Sequence, residues 1–192
     1  MANGERVRKN HELPTAYGEL DELMGAIGVS YSTLDELCFR RKIEKEPIYK
    51  SQLSILQKIV FDCGTDITTS VFNKKRYTKK GRELPQTGSH MMVNEEYVVY
   101  IESLIDDLSK DLESLHSFIM PIGETTVAQL HFTRSVCRRA ERSTLELEEL
   151  NPEVSKILNR LSDLLFVMAR HINCILLKSE EAVYDPRKSA LK

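Results

Sequence analysis

Apolar residues recur along the chain at a spacing of three to four in five stretches, broken by polar runs and by the few prolines and glycines. That period predicts five α-helices and no strand of useful length. The first helix starts at about Pro14, a residue suited to a first turn, and runs through Leu20, Leu23, Met24 and Ile27. The second covers about residues 49–69, with Leu53, Leu56, Ile59, Val60 and Cys63 on one face. The third covers about residues 94–115 through Tyr97, Ile101, Leu104, Ile105 and Leu108. The fourth begins near Thr125, after the Pro121-Ile122-Gly123 break, and reaches about residue 149. The fifth opens on Asn151-Pro152, a capping residue followed by a first-position proline, and runs through Val154, Ile157, Leu158, Leu161, Leu165 and Met168 to about residue 177.

Two segments lack this period. Residues 73–94 are rich in Lys, Arg, Gly, Thr and Ser and read as a mobile surface loop. Residues 180–192, with Pro186 and mixed charge, read as a poorly ordered tail. With 192 residues and no internal repeat, the expectation is one domain, residues 1–192, folded as an all-α, five-helix antiparallel bundle.

Composition narrows the function classes. Lys plus Arg (27) nearly balances Asp plus Glu (29), so no global field favours nucleic acid or an anionic membrane, and any anion site must be local. No apolar run approaches the roughly 20 residues that span a bilayer. Cys38, Cys63, Cys137 and Cys174 are widely spaced without a CxxC pair and read as reduced thiols of an intracellular, soluble protein. Neither a Walker A sequence nor G-x-G-x-x-G occurs, so a nucleotide would not be held by the usual glycine loops.

The local cation site lies on the fourth helix. At about 100° per residue, Arg138 falls roughly 40° and Arg142 roughly 80° round from Arg134, with Glu141 about 20° to the other side. Three guanidiniums and one carboxylate thus share a stripe. Such a stripe is either a solvated face of surface ion pairs or a clamp for polyphosphate, whose oxygens match the planar fork of arginine. On the otherwise apolar fifth helix, Asn159, Ser162, Asp163 and Arg170 fall on one side. They require partners, either in a buried structural network or across the helix pair from the arginines. Asp21 and Glu22 sit beside an apolar face of the first helix, as solvated boundary residues or as partners for an arginine on another helix or subunit. Glu113-Ser-Leu-His116 has the Glu-x-x-His spacing of di-iron bundles but lacks the second copy those sites require.

The motifs Ala16-Tyr-Gly-Glu-Leu-Asp-Glu-Leu23, Phe61-Asp-Cys-Gly-Thr-Asp66, Phe118-Ile-Met-Pro121, His131 to Arg142, and Asn159-Arg-Leu-Ser-Asp-Leu-Leu-Phe166 with Ala169-Arg170 occur in this order and cover most of the chain. Together they resemble the PduO-type ATP:cob(I)alamin (corrinoid) adenosyltransferases. That resemblance implies a trimeric five-helix bundle with active sites between subunits. It implies transfer of the 5′-deoxyadenosyl group of ATP to Co(I) of cobalamin, with release of tripolyphosphate. By the same resemblance, Lys9, Arg138, Glu141, Arg142 and Asn159 would bind ATP. Asp21, Phe118, Arg134, Asp163 and Phe166 would bind the corrinoid, with Asp21 and Arg134 paired across the subunit boundary. Phe118 and Arg138 would be the catalytic positions, Phe118 by displacing the lower axial ligand of cobalt. Mg²⁺ would be held mainly through ATP, with Glu141 as the side chain placed to help. A reductase and an adenosylcobalamin-dependent enzyme are the further partners implied. The compartment would be the cytoplasm in a bacterium and the mitochondrial matrix in a eukaryote.

Three departures matter. Members of the family carry a Thr-Gly-Asp-x-Gly-x-Thr segment that wraps the ATP phosphates, and no such motif occurs in this sequence. The following Lys-x-Asp-x-Arg pattern stands here as Lys9-Asn-His-Glu-Leu13, with His11 and Leu13 at the Asp and Arg positions. The usual Pro-Gly-Gly after Phe118 is Pro121-Ile122-Gly123, which is expected to stiffen or displace that loop. Losing one charged hydrogen bond costs about 1.5–3 kcal/mol. The alternative expectation is therefore a weakened or inactive homologue that binds corrinoid or nucleotide without turnover.

Overall fold

The computed structural model describes residues 12–43, 48–70, 93–148, 150–185 and 187. These form five α-helices: α1 (Glu12–Arg41), α2 (Ile48–Ser70), α3 (Glu95–Ser109), α4 (Thr125–Thr144) and α5 (Pro152–His171), the last continued by a π-helical turn, Ile172–Leu176. Residues 73–92 of the expected mobile loop, together with Lys9 and His11, lie outside the described residues.

Consecutive helices alternate in direction. α4 packs between α1 and α5, joined to α1 by Arg139 to Glu19 near one end and by Thr133 to Ala26 further along. α2 packs on the other side of α1, where the Gln57 amide donates to the Met24 carbonyl at 2.9 Å. Gly28 permits that approach, since a Cβ there would lie 3.1 Å from Gln57 Nε2. α3 leans on α5. The core is built on the apolar stripes read from the sequence, with Leu20, Leu23, Leu53, Leu56, Ile101, Leu130, Ile157 and Leu158 almost fully buried and Met24, Tyr97, Leu104 and Ile105 only partly so. Each fully buried side chain contributes roughly 1.5–3 kcal/mol.

The helix starts follow local chemistry. Asn94 and Asn151 each accept the backbone N–H two residues on, from Glu96 at 3.0 Å and Glu153 at 3.1 Å. Helix ends differ more from expectation. α1 continues well past Ile27, because Ser30, Leu34, Leu37 and Cys38 prolong its buried face. α3 stops at Ser109, not near residue 115: Leu115 finds no core and is 38% exposed. α4 stops at Thr144, whose hydroxyl turns back onto the Glu141 carbonyl.

The Phe61 to Asp66 motif is scaffold. Asp62 accepts the Tyr97 hydroxyl at 3.0 Å, Cys63 is core, and Gly64 lies against the Tyr17 ring. Asp66 Oδ2 accepts both the Val93 N–H at 3.0 Å and the Asn151 side-chain amide at 2.9 Å. One buried carboxylate thereby ties α2 to the starts of α3 and α5.

The tail is more structured than its composition suggests. The chain reverses at Lys178, which has a left-handed φ of 52°, and residues 179–185 return along the segment after α3. Met120 N–H donates to the Ala182 carbonyl and Tyr184 N–H to the Phe118 carbonyl, each at 2.7 Å, flanking an antiparallel bridge between Ile119 and Val183. Residues 186 and 188–192 of the expected tail lie outside the described set.

Candidate functional site

α4 and α5 run antiparallel with their polar stripes facing a common groove. Working from the α5 start, Asn159 donates its amide to Glu141 Oε1 at 2.9 Å, and its own carbonyl oxygen accepts from Arg160 at 2.7 Å. Asp163, one turn on, pairs with Arg160 at 3.1 Å. Further along, the Phe166 ring meets Arg134, whose guanidinium carbon is 5.5 Å from the ring centre, and the His131 ring, steeply inclined to it with centres 5.9 Å apart. The Arg170 guanidinium lies 6.0 Å from the same ring. An aromatic face attracts such cations.

Arg134, Arg138 and Arg142 make no hydrogen bond or ion pair with any described residue. Arg138 and Arg142 are exposed. Arg139, inside the same run, is different. It points to α1, donates to Glu19 at 2.5 Å and also pairs with Glu22. Those two carboxylates raise its already high pKa, the Glu19 hydrogen bond most. One cation in the run is thus structural, and three are open to an anion.

His131 is 8% exposed, and burial followed by the nearby Arg134 charge holds its pKa below the ordinary histidine value. It is therefore neutral at pH 7 and sits beside the arginines without adding to their repulsion. Burial likewise pushes the Cys137 thiol up; its Sγ lies 3.2 Å from the Leu158 carbonyl, in the α4–α5 seam.

Below the groove is the segment joining α3 to α4. Phe118 is 84% exposed there, with Ile122 also exposed. Gly123 keeps a positive φ of 147°, so the turn into α4 retains the conformation glycine supplies, although Ile122 precedes it. A small cleft opens between this segment and α5, lined by Met120, Ile122, His131, Arg170, Asn173 and Glu181, among others.

Asp21 is exposed on α1 and has no partner among the described residues. At about 100° per residue it lies roughly 200° round α1 from Glu19, which faces α4. Asp21 and Arg134 therefore cannot meet within one chain. Leu13 is 2% exposed in the core at the first turn of α1. Glu113 and His116 are both exposed, and no group of three or more metal-ligating side chains occurs among the described residues.

A family model described as cobalamin adenosyltransferase matches residues 1–172. The chain belongs to this family. It is 33% identical over 171 residues to the corrinoid adenosyltransferase MMAB of Mus musculus, covering 88% of this chain and 65% of the mouse protein. The chain thus spans slightly less than two thirds of that relative. With the corrinoid adenosyltransferase of Mycobacterium leprae the identity is 33% over 178 residues, covering 90% of this chain and 84% of the relative. Among solved structures, a variant PduO-type ATP:corrinoid adenosyltransferase from Lactobacillus reuteri, complexed with cobalamin and ATP, superimposes with a TM-score of 0.75 at 28% identity, covering 96% of this chain and 90% of that one. A second variant from the same organism, complexed with ATP, gives a TM-score of 0.75 at 29% identity, covering 95% and 92%.

The groove brings together Arg134, Arg138, Glu141, Arg142, Asn159, Asp163 and Phe166 of the residues expected from sequence. Phe118 stands at its lower end and Asp21 on another face. Arg170, which stands over the Phe166 ring, and Glu181, which lines the cleft beside it, were not among the site residues expected from sequence. Arg170 had a signal, its place on the polar side of α5, but Glu181 had none.

Proposed function

We propose that this adenosyltransferase-family chain transfers the 5′-deoxyadenosyl group of ATP to the Co(I) ion of a reduced corrinoid. The observation that carries the reading is the line of three arginines on α4 that have no ion pair among the described residues, running beside Asn159 and ending on Phe166. An anionic chain and a large apolar ring system would fill the two ends of that groove.

Arg138 and Arg142 hold the triphosphate, and Asn159, fixed by Glu141, contacts the nucleoside. Lys9 is assigned to the same phosphates. Arg134, Asp163 and Phe166 line the corrinoid side, where Phe118 takes the place of the lower axial donor. Removing that donor lowers the empty cobalt orbital and eases reduction to Co(I), the same lever that axial ligands exert on haem. Cobalt then gives its electron pair to the 5′ carbon, and the bond from that carbon to the α-phosphate oxygen breaks. Tripolyphosphate leaves with the bonding pair. Arg138 stabilises the charge developing on the leaving oxygen, and the protein otherwise works by alignment.

Mg²⁺ suits this donor set when bound mainly through the phosphates, because it keeps several waters and needs only one or two carboxylates. Glu141 is the carboxylate on the stripe, and the ion would neutralise phosphate charge there. The unpaired Asp21 and Arg134, on faces that cannot meet in one chain, support a homotrimer in which they pair between subunits. A reductase supplying Co(I) and an enzyme consuming adenosylcobalamin are its functional neighbours. The compartment is the cytoplasm in a bacterium or the mitochondrial matrix in a eukaryote.

Incubation with ATP and chemically reduced cobalamin tests the reading. Adenosylcobalamin should form above the protein-free control, and its absence overturns turnover. Burial of Leu13, where the family pattern has arginine, favours a second reading of ligand binding without turnover. Calorimetry separates the two: heat of binding for either ligand without product supports the second, and no binding at millimolar concentration removes both.

A further inference from the structure

Arg170 is 8% exposed, yet its bonds leave the helix that carries it. Its Nε donates to Glu181 Oε1 at 2.6 Å, and one terminal nitrogen donates to Glu181 Oε2 at 3.2 Å and to the Glu113 carbonyl at 2.8 Å. The guanidinium also stands over Phe166. Glu181 belongs to the returning strap, residues 179–185. The root of this strap is tied to the π-helical turn that continues α5, because Ser179 N–H donates to the Asn173 carbonyl at 2.9 Å and the Asn173 amide donates to the Glu180 carbonyl at 3.2 Å. Among the described residues, the backbone hydrogen bonds that residues 118–120 make to other segments run to this strap alone.

We propose that Arg170 and Glu181 are positioning residues: their buried ion pair clamps the strap, and the strap sets the backbone of Phe118 against Phe166. The inference rests on the reading of Phe118 and Phe166 as corrinoid-facing. A side chain 84% exposed on a short segment can occupy one place on a ligand only if its backbone is held. Misplacement by about 1 Å in such a site costs on the order of a hundredfold in rate. One two-pronged ion pair thus ties the Phe118 segment, through the strap, to the part of α5 that carries Phe166, while the phosphate end of the groove is left alone.

Glu181→Ala tests the clamp with little threat to folding, since Glu181 lies outside the helices. Arg170→Lys, which keeps the charge but loses the two-pronged geometry, repeats the test from the helix side. Amide hydrogen exchange should accelerate at least tenfold at Met120 and Tyr184 in a variant whose thermal unfolding remains cooperative. In turnover, the KM for reduced cobalamin should rise at least fivefold and kcat fall about tenfold, with the KM for ATP changed less than twofold. The visible-spectrum change of Co(II) cobalamin on losing its lower ligand, in the presence of ATP, should shrink in parallel. Unchanged exchange, or equal changes in the two KM values, overturns the proposal. If the wild-type chain makes no adenosylcobalamin, the reaction reading fails, and exchange with the Co(II) cobalamin titration then decides the clamp. No loss of corrinoid affinity in Glu181→Ala would overturn it there.

Discussion

Toward α1, α4 presents Thr133, which shares a 2.9 Å contact with the Ser30 hydroxyl and donates to the Ala26 carbonyl, and Arg139, held by Glu19 and Glu22. Toward α5 it presents Arg134, Arg138 and Arg142, none of which has an ion pair among the described residues. Arg138 and Arg139 are adjacent in sequence and carry the same group. Their difference comes from the 100° between them, which puts one guanidinium beside two carboxylates and leaves the other at the groove. A partnered arginine holds helices together. Unpartnered arginines side by side repel one another and are relieved only by a counter-charge.

The largest effect is expected at Arg138. Arg138→Ala should lower kcat/KM for ATP by about tenfold to a hundredfold, the equivalent of one charged hydrogen bond of about 1.5–3 kcal/mol. The melting temperature should stay nearly unchanged, because no described contact is lost. A steady-state assay paired with a thermal melt reads both, and a large fall in stability would assign Arg138 to the scaffold. Arg139→Ala should show the reverse: activity within about twofold, and a stability loss of no more than about 1 kcal/mol, since its side chain is 42% exposed and solvent screens both pairs. Denaturant unfolding measures that loss.

The smallest expected effect is a pH dependence at His131. Its folded pKa is lowered from 6.5, so the unfolded chain binds more protons in the window between the two values. Its contribution is complete above pH 6.5 and is lost as pH falls through the folded value. Melts of the wild type and of His131→Gln between pH 7.5 and 4.5 should diverge on the acid side, with the variant less sensitive. Parallel curves would mean that His131 keeps its proton equilibrium on folding.

Much of the architecture was legible because it is local. The apolar period located all five helices, and Asn151-Pro152 marked the start of α5, because capping is chemistry within two or three residues. The arginine stripe was legible for the same reason: angle follows from spacing. Helix ends were less so. α1 runs through Gly25 and Gly28 because neighbouring helices bury Leu34 and Leu37, and α3 loses its last expected turns because Leu115 has nothing to pack on. Resemblance to a family carried the Phe118 assignment, which no local pattern supplies.

The residue order alone determined a helical bundle with a cationic stripe on its fourth helix and polar groups on its fifth. Tertiary structure decided which of those charges meet a partner. It sent Arg139 to Glu19, left Arg138 and Asp21 without a partner among the described residues, and folded residues 179–185 back so that Glu181 met Arg170. Helical periodicity specifies direction around one axis. Whether a charge is satisfied depends on what stands opposite, and that is set by how the axes pack.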